Sequence, residues 1–299
     1  MENTPVHGEP RQEAGEAEPA MDVKKYLRMV SASAWVGWQV ESNWTEPLIF
    51  IGLQVIRPLA STLLFPLLYV VGMSFVGGKT DPSYLTYIVI GTVFFIPYIS
   101  AAETAGQVIS QDRERYGVLK SIYITEASLT PYLLGRFAAV VCTALISTTS
   151  SLIIAYATFM YVFNLPLTMT SINFFQLSTA VIAVLIGSAA LFYLLPSVNL
   201  HTNKLHWSLA YYVLGFLYLT GDIIFPVSSL THYATFLTYI IPVNQALNML
   251  RAAFGLPIES NVYLTLTTPA GWLAFSMVVF NLSVKQARRK ALLDRIGWW

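Results

Sequence analysis

The sequence FAAVVCTALISTTSSLIIAYATFMYVFNLPLTMTSINFFQLSTAVIAVLIGSAALFYLLPSVNL, residues 137–200, contains no Asp, Glu, Lys or Arg. A helix that crosses the roughly 30 Å hydrocarbon core of a bilayer needs only about 20 apolar residues, so this stretch is too long for one crossing. Near its middle, NLP at 164–166 is followed by several Ser, Thr and Asn residues, and such a cluster favours a turn. We therefore predict two membrane-spanning helices, 133–160 and 174–197, joined by this turn.

Four more stretches are poor in charge and long enough to cross a bilayer once their flanking residues are included. Their predicted bounds are 47–76, 83–109, 206–225 and 266–284. The whole chain is 55% hydrophobic and 11% charged, whereas soluble domains carry about 25% charged residues. This composition excludes a water-soluble enzyme. It predicts an all-α, polytopic membrane protein in which residues 46–284 form a domain of six transmembrane helices.

The region between the fifth and sixth predicted spans is apolar but is not predicted to cross the membrane. Its best apolar run, 233–241, is short and ends at a proline, after which polar residues interrupt the pattern. A run of this length is typical of a re-entrant or interfacial segment, and we interpret 230–256 in this way. The residues that mark the segment are Pro226, Pro242, Asn244 and Arg251.

The distribution of basic residues predicts the orientation of the chain. Most of the 17 Lys and Arg residues fall in the N-terminal segment, in the loops after the second and fourth spans, and in the C-terminal tail. Cytoplasmic loops carry such an excess, so six crossings place both termini in the cytoplasm, and a seventh would destroy the asymmetry. We predict a multi-pass protein of the plasma membrane, meaning the inner membrane of the cell.

The two ends of the chain differ from its apolar middle. Residues 1–21 are rich in Glu and Pro, which is typical of a disordered acidic tail. Residues 22–45 place apolar side chains on one helical face, which predicts an amphipathic connecting helix along the cytoplasmic membrane surface. A helical extension of the first span is the alternative. Residues 285–299 form a basic cytoplasmic tail.

The sequence contains no motif for chemistry. The only candidate phosphate-binding loop, GGKT at 77–80, has Met73 where the motif requires glycine. The four His residues are scattered, and the single cysteine, Cys142, can form neither an internal disulfide nor a cysteine-rich metal site. A net charge of +1 offers no basic surface for nucleic acid. We expect a chain that is not an enzyme, binds no cofactor or metal itself and has no nucleic-acid partner.

Three ionisable residues, Arg57, Glu103 and Asp222, are predicted to lie within the spans. A charge in hydrocarbon costs about 3 kcal/mol or more and often marks an ion pathway or a partner. One interpretation is an ion relay, as in a secondary carrier. The other is that these side chains lie near the membrane boundaries, where they reach water or pair across helices. We favour the second, because no two of them are predicted to share a depth and a relay needs neighbours.

The most informative cytoplasmic stretch joins the second and third spans. Residues 110–122, SQDRERYGVLKSI, alternate in charge as a solvated helix does, and they include Gly117 and a small apolar edge. A membrane protein that cannot hydrolyse ATP would receive force from a partner on such a helix. An ordinary positively charged cytoplasmic loop is the alternative.

This stretch and its continuation resemble a known family. DRERYGVLKSIYITEASLTPYLLGR, residues 112–136, resembles the D-R-E-R-G-x-L, T-P and Y-x-x-G-R pattern of type-2 ABC exporter permeases, the membrane subunits of drug, lipid and polysaccharide exporters. A second match runs from GDIIFPVSSL at 221–230 through YIIPVNQ at 239–245 to LR at 250–251. The resemblance covers about residues 22–290.

Three departures from the family pattern bear on the class of substrate more than on the family. Tyr116 occupies the usual first glycine position, Glu126 replaces the proline of T-P, and Ile241 replaces the asparagine of N-P.

The resemblance implies a permease that carries an amphiphilic drug, lipid or lipid-linked glycan out of the cytoplasm. Two copies, most simply a homodimer, would pair in the bilayer, with the cargo moving along an interface lined by spans one, two and five. A separate ABC nucleotide-binding ATPase subunit, which holds the ATP and Mg, would dock below each copy on a coupling helix at 110–122. The residues implied in this contact are Asp112, Arg113, Glu114, Arg115, Tyr116 and Leu119.

Two other functions stay open at this point. One is an ion-coupled secondary carrier or channel that uses Arg57, Glu103 and Asp222, although no inverted repeat relates the two halves of the sequence. The other is a membrane scaffold that transports nothing.

Overall fold

The computed structural model describes residues 22–42, 46–115, 122, 128–169, 171–202, 205 and 207–290. These residues form helices joined by turns and loops, with no strand among them. In chain order the helices are α1 (Val23–Ser42), α2 (Pro47–Phe75), α3 (Pro82–Phe94), α4 (Ile96–Ser110), α5 (Leu129–Ala157), α6 (Phe174–Asn199), α7 (Leu209–Thr220), α8 (Leu237–Ile240), α9 (Pro242–Ala253) and α10 (Val262–Arg289). A π-helical turn, Gln111–Arg115, extends α4, and another, Thr158–Val162, extends α5. The predicted all-helical fold is confirmed.

Five helical stretches of the described chain are long and apolar enough to cross a membrane. They are Leu48–Phe75, Pro82–Arg113, Leu129–Val162, Phe174–Asn199 and Val262–Arg289. The fifth predicted span, 206–225, contains only α7, whose 12 residues measure about 18 Å. α7 ends at Thr220 because Gly221 leaves the helical conformation and Asp222 adopts a positive φ of 50°. The structure therefore supplies five of the six predicted helices at full length.

Polar side chains and prolines start the apolar helices. The side chain of Asp81 accepts a hydrogen bond from the Ser83 N–H at the start of α3, and Asn173 does the same for two N–H groups of α6. Prolines occupy the first turns of α2, α3 and α9, where a missing N–H costs nothing. Such caps satisfy donors that lipid would leave unpaired.

The pair α3–α4 forms the centre of the bundle. Nearly every residue of α3 is buried, from Leu85 to Phe94, and α4 continues after a slight break at Phe95. α4 packs against α5, α6 and α7, α6 packs along α10, and α1 packs along α5. Because α3 is covered on most sides, its sequence is apolar nearly all round rather than amphipathic.

In contrast to the central pair, α2 lies at the edge of the bundle. It packs mainly on α3 and α5 and exposes many apolar side chains. These are Leu48, Ile49, Ile51, Leu53, Ile56, Leu64, Leu68, Val71 and Phe75. A helix of this composition with so little protein cover is typical of a lipid-facing or partner-facing membrane helix.

Two prolines inside α2 are compensated by hydroxyl groups from neighbouring helices. Pro58 lacks the N–H that would reach the Gln54 carbonyl, and the Ser147 hydroxyl on α5 donates to that carbonyl at 2.8 Å. Pro66 likewise releases the carbonyl of Thr62, which lies 3.2 Å from the Thr92 hydroxyl on α3. This hydroxyl shares its proton between that carbonyl and those of Ile88 and Val89 in its own helix. These bonds fix the position of an otherwise weakly packed helix.

The region after α7 is a series of short, broken helices. Two 3₁₀ turns, Val227–Ser229 and His232–Phe236, precede α8. Ile241 is extended, and α9 begins at Pro242. The predicted re-entrant segment, 230–256, thus consists of helices too short to cross a bilayer.

The predicted ends of the chain are described only in part. Residues 1–21 and 291–299 lie outside the described residues. The predicted amphipathic helix, 22–45, contains α1, which is held on α5 through buried Ser33 and Gly37.

We predict that Thr92→Val destabilises the protein by about 1–3 kcal/mol, because it leaves the buried Thr62 carbonyl without a donor. The cost should shrink in a Pro66→Ala background, where the restored N–H reaches the same carbonyl. Thermal unfolding of the four proteins in detergent gives the coupling energy. Thr267→Val, on an exposed face of α10, serves as the control, and equal costs in both backgrounds would contradict this account.

Candidate functional site

Two helices of the bundle carry polar side chains along one face. On the stretch formed by α4 and its π-helical turn these residues are Ser100, Glu103, Thr104, Gln107 and Gln111. On α2 they are Gln54, Arg57 and Ser61. Spacings of three and four residues align side chains on one helical face, so each helix presents a polar stripe within an apolar sequence.

The two stripes meet at an ion pair. Arg57 Nη2 lies 3.0 Å from Glu103 Oε2, the only ion pair found within the described part of the chain. Arg57 is the tenth residue after Pro47, which puts it about 15 Å along α2. Two of the three predicted intramembrane charges therefore share a depth. We expected no two of the three charges to lie at the same depth, and for Arg57 and Glu103 this expectation is wrong. Their predicted distances from the ends of their spans differ, but the fold brings the two side chains together.

The stripes line a cavity with two parts. The polar chamber, about 250 Å³, lies between α1, α2, α4 and α5 and is lined by Val40, Glu41, Gln54, Arg57, Ser100, Glu103, Thr104, Gln107, Gln111 and Thr143. The deep chamber, about 470 Å³, is lined by Gln54, Arg57, Pro58, Ser61, Ile96, Ile99, Ser100, Glu103, Ser147, Tyr211, Leu214, Gly215 and Tyr218. Four residues, among them the ion pair, belong to both chambers. The result is a cavity that is polar at one end and more apolar and aromatic at the other.

Glu41 brings a second carboxylate into the polar chamber. Burial raises the pKa of the Glu41 carboxyl above its usual value, and the charges of Arg136 and Arg57 oppose this rise. Arg136 is 3% exposed and also acts on the carboxylate of Asp112. One buried guanidinium thus lies between the cavity and the start of the predicted coupling segment.

The first predicted coupling residues are held inside the bundle. Asp112 is 1% exposed and accepts a hydrogen bond of 2.7 Å from the Tyr132 hydroxyl of α5. Arg113, also buried, donates to the Leu200 carbonyl at the end of α6. Glu114 and Arg115 belong to the π-helical turn, whereas Tyr116 and Leu119 lie outside the described residues. Asp112 and Arg113 therefore anchor the segment to α5 and α6.

The third predicted intramembrane charge belongs to a separate cluster around Arg251. This side chain is fully buried and donates to the carbonyls of Tyr87, Asp222 and Ile223. It also donates to Asn248 at 3.1 Å and lies over the Tyr87 ring, 3.4 Å from its centre. One carboxylate oxygen of Asp222 accepts the Val227 N–H at 2.6 Å, and the other accepts from Asn248. The cluster ties the loop after α7 to α3 and α9.

Two more marker residues of the predicted re-entrant segment have structural roles there. Asn244 is buried and its amide donates to the Thr220 carbonyl, which satisfies the end of α7. Pro226 precedes the 3₁₀ turn at Val227–Ser229. Together with Arg251, these residues shape the connection between α7 and α9.

Sequence reasoning missed Glu41, Arg136 and the glutamines of the cavity. The signal was present as the polar stripe on the second span, because residues 100, 103, 104, 107 and 111 follow the helical repeat. It was not used because the glutamines and hydroxyls carry no formal charge. Among the described residues, no group of three or more His, Cys, Asp or Glu side chains is placed to hold a metal.

A scan of the sequence against protein-family models gives no match, and a search of curated proteins gives none either.

Arg251 and Arg57 should differ sharply in their contribution to stability. Arg251→Met removes the guanidinium that donates to three buried carbonyls and leaves the buried Asp222 carboxylate without its nearby cation, so we predict a loss of at least about 3 kcal/mol. Arg57→Met breaks a pair whose arginine side chain is 75% exposed, and its cost should stay below about 1 kcal/mol. Thermal unfolding in detergent measures both. Equal losses would contradict the assignment of Arg251 as the structural arginine.

Proposed function

We propose that this chain is the membrane permease subunit of a type-2 ABC exporter, which moves an amphiphilic compound out of the cytoplasm. The observation that carries the proposal is the two-part cavity, which runs about 10 Å along α2, from Gln54 to Ser61, within an otherwise apolar bundle. The cavity offers polar groups for a head group and apolar groups for a body, but no catalytic constellation. These are the properties of a passage.

The proposed topology has six spans with both termini in the cytoplasm of the plasma membrane. The five long helices supply five spans, and α7 with its flanking residues supplies the fifth in chain order. The short helices of 230–256 form the re-entrant segment, with the Arg251 cluster as their anchor. The charge asymmetry of the sequence supports this arrangement.

The energy for export comes from a separate nucleotide-binding ATPase subunit that holds ATP and Mg. Asp112 and Arg113, which are anchored on α5 and α6, act as positioning residues that pass movement into the bundle. Docking then depends on Glu114, Arg115, Tyr116 and Leu119. Arg136, which acts electrostatically on both Asp112 and Glu41, links the docking segment to the cavity.

A second copy of the chain completes the passage. Arg57 is largely exposed on α2, although a charged side chain facing lipid is costly. The deep chamber is likewise open on the side of α2 and α7, where Tyr211 and Tyr212 are also exposed. A second permease copy facing this side would enclose the cavity and keep Arg57 in contact with water.

The partner is tested by purifying the tagged chain from its native membranes and measuring ATP hydrolysis in the preparation. We expect hydrolysis to accompany the wild-type chain and to fall at least about tenfold in E114K/R115E, because about 1.4 kcal/mol of lost contact suffices for this. Lys79→Glu, a charge reversal in the loop between α2 and α3, is the matched control. A wild-type chain that brings down no ATPase would refute the proposal.

The role of the cavity in transport is tested by placing a bulky side chain in it. Ser100→Trp places an indole in both chambers and should reduce export by the reconstituted complex at least about tenfold, while the ATPase still co-purifies. Ser178→Trp, on an exposed face of α6, should leave export unchanged. Normal export by the Ser100 variant would remove the cavity from the transport route.

The Arg57–Glu103 contact also favours a second candidate, an ion-coupled carrier in which these residues exchange protons or ions. Reconstitution of the chain alone in vesicles with a proton gradient separates the candidates. Solute movement under these conditions, abolished in R57Q/E103Q, would establish the carrier and end the exporter proposal.

A further inference from the structure

The charges that line the cavity do not balance. Glu41, Glu103 and Arg57 all line the polar chamber, and Arg57 is paired with Glu103 at 3.0 Å. No basic nitrogen in the described part of the chain lies within 4.0 Å of the Glu41 carboxylate. Arg136, which does not line the chamber, acts electrostatically on the carboxylates of both Glu41 and Asp112. Two carboxylates and one guanidinium group therefore line the polar chamber, which leaves one negative charge in excess on its wall.

Apart from the Arg57–Glu103 pair, the polar groups around this charge are neutral hydrogen-bonding groups. Gln54, Ser100, Thr104, Gln107 and Thr143 complete the wall of the polar chamber, and the Gln111 amide donates to Gln107 at 2.9 Å. Their oxygens accept hydrogen bonds from a protonated head group, and they place no positive charge against it.

The adjoining deep chamber suits an apolar or aromatic body. It is walled by Pro58, Ile96, Ile99 and Leu214, together with the ring of Tyr218. Its volume of about 470 Å³ lies within the range of about 300–1,000 Å³ that is usual for small-molecule pockets.

We infer that the cavity binds an amphiphile with a single positive charge, whose cation lies beside Glu41 and whose apolar body fills the deep chamber. This inference rests on the proposed function only in the direction in which the bound compound moves, which is out of the cytoplasm. Binding to the cavity requires neither ATP nor the ATPase subunit, so the two can be tested separately.

The protonation of Glu41 gives the binding a pH dependence. Burial raises the pKa of this carboxyl. As the pH falls, Glu41 is therefore protonated at a higher pH than a carboxyl in water. A permanently charged cation favours the ionised form. Its affinity should therefore weaken as the pH falls, with Arg57, Glu103 and Arg136 as the other charged groups that face the chamber or act on Glu41.

The probes are two ions of nearly identical shape and opposite charge, tetraphenylphosphonium and tetraphenylborate. Equilibrium dialysis against the purified chain in lipid nanodiscs, with empty nanodiscs subtracted, measures saturable binding of each. We expect saturable binding of the phosphonium at least about tenfold tighter than that of the borate. This preference corresponds to about 1.4 kcal/mol.

Two variants assign the preference to the cavity. Glu41→Gln should weaken phosphonium binding about tenfold and remove its pH dependence. Arg57→Gln removes the positive charge from the chamber and should strengthen it. Glu259→Gln, at an exposed carboxylate in the loop before α10, is the matched control and should change nothing. Monodisperse elution from a sizing column shows that each variant is folded.

Tighter binding of the borate, absence of saturable phosphonium binding, or unchanged affinity in Glu41→Gln would each overturn the inference. If the Glu41 variant does not fold, the sign of the Arg57→Gln effect decides, and weaker phosphonium binding in that variant is also contrary to the inference. None of these results affects co-purification of an ATPase, which tests the proposed function alone.

Discussion

A polar group within an apolar bundle must find a partner, because neither lipid nor a packed core supplies one. Two different solutions to this constraint organise the molecule. Arg251 is enclosed and uses its guanidinium to hold three carbonyls of neighbouring segments. Arg57 is open and has one carboxylate partner across a cavity. The first arrangement fixes the fold, and the second creates a surface that a ligand can use.

The same constraint explains why α2 has a defined position despite its few contacts. Its two internal prolines leave carbonyls that helices α3 and α5 satisfy through hydroxyl groups. A weakly packed helix thus remains attached at two points, one on each side of the cavity's charged pair.

Much of the fold could be predicted from the sequence, because membrane helices are recognised by length and missing charge. The sequence was less informative about where α7 ends, which depends on the local backbone conformation. α7 stops at Thr220 because Asp222 takes a positive φ, and hydropathy contains no signal for that. The cavity was harder to predict, because the residues that line it depend on which helices are adjacent in the fold. The Arg57–Glu103 pair joins residues far apart in sequence, and Arg136 acquires its role only when α1 lies on α5. The polar stripe on the second span was readable, but only if uncharged polar residues are weighed together with charges.

The position of the single cysteine has a practical consequence. Cys142 is exposed on α5 and directly precedes Thr143, which lines the polar chamber. A maleimide fluorophore or a nitroxide attached to the native chain would therefore report from one known site beside the cavity, with no other thiol to remove. If two copies pair as proposed, each carries the same label, and dipolar spectroscopy would measure the distance between the two labels.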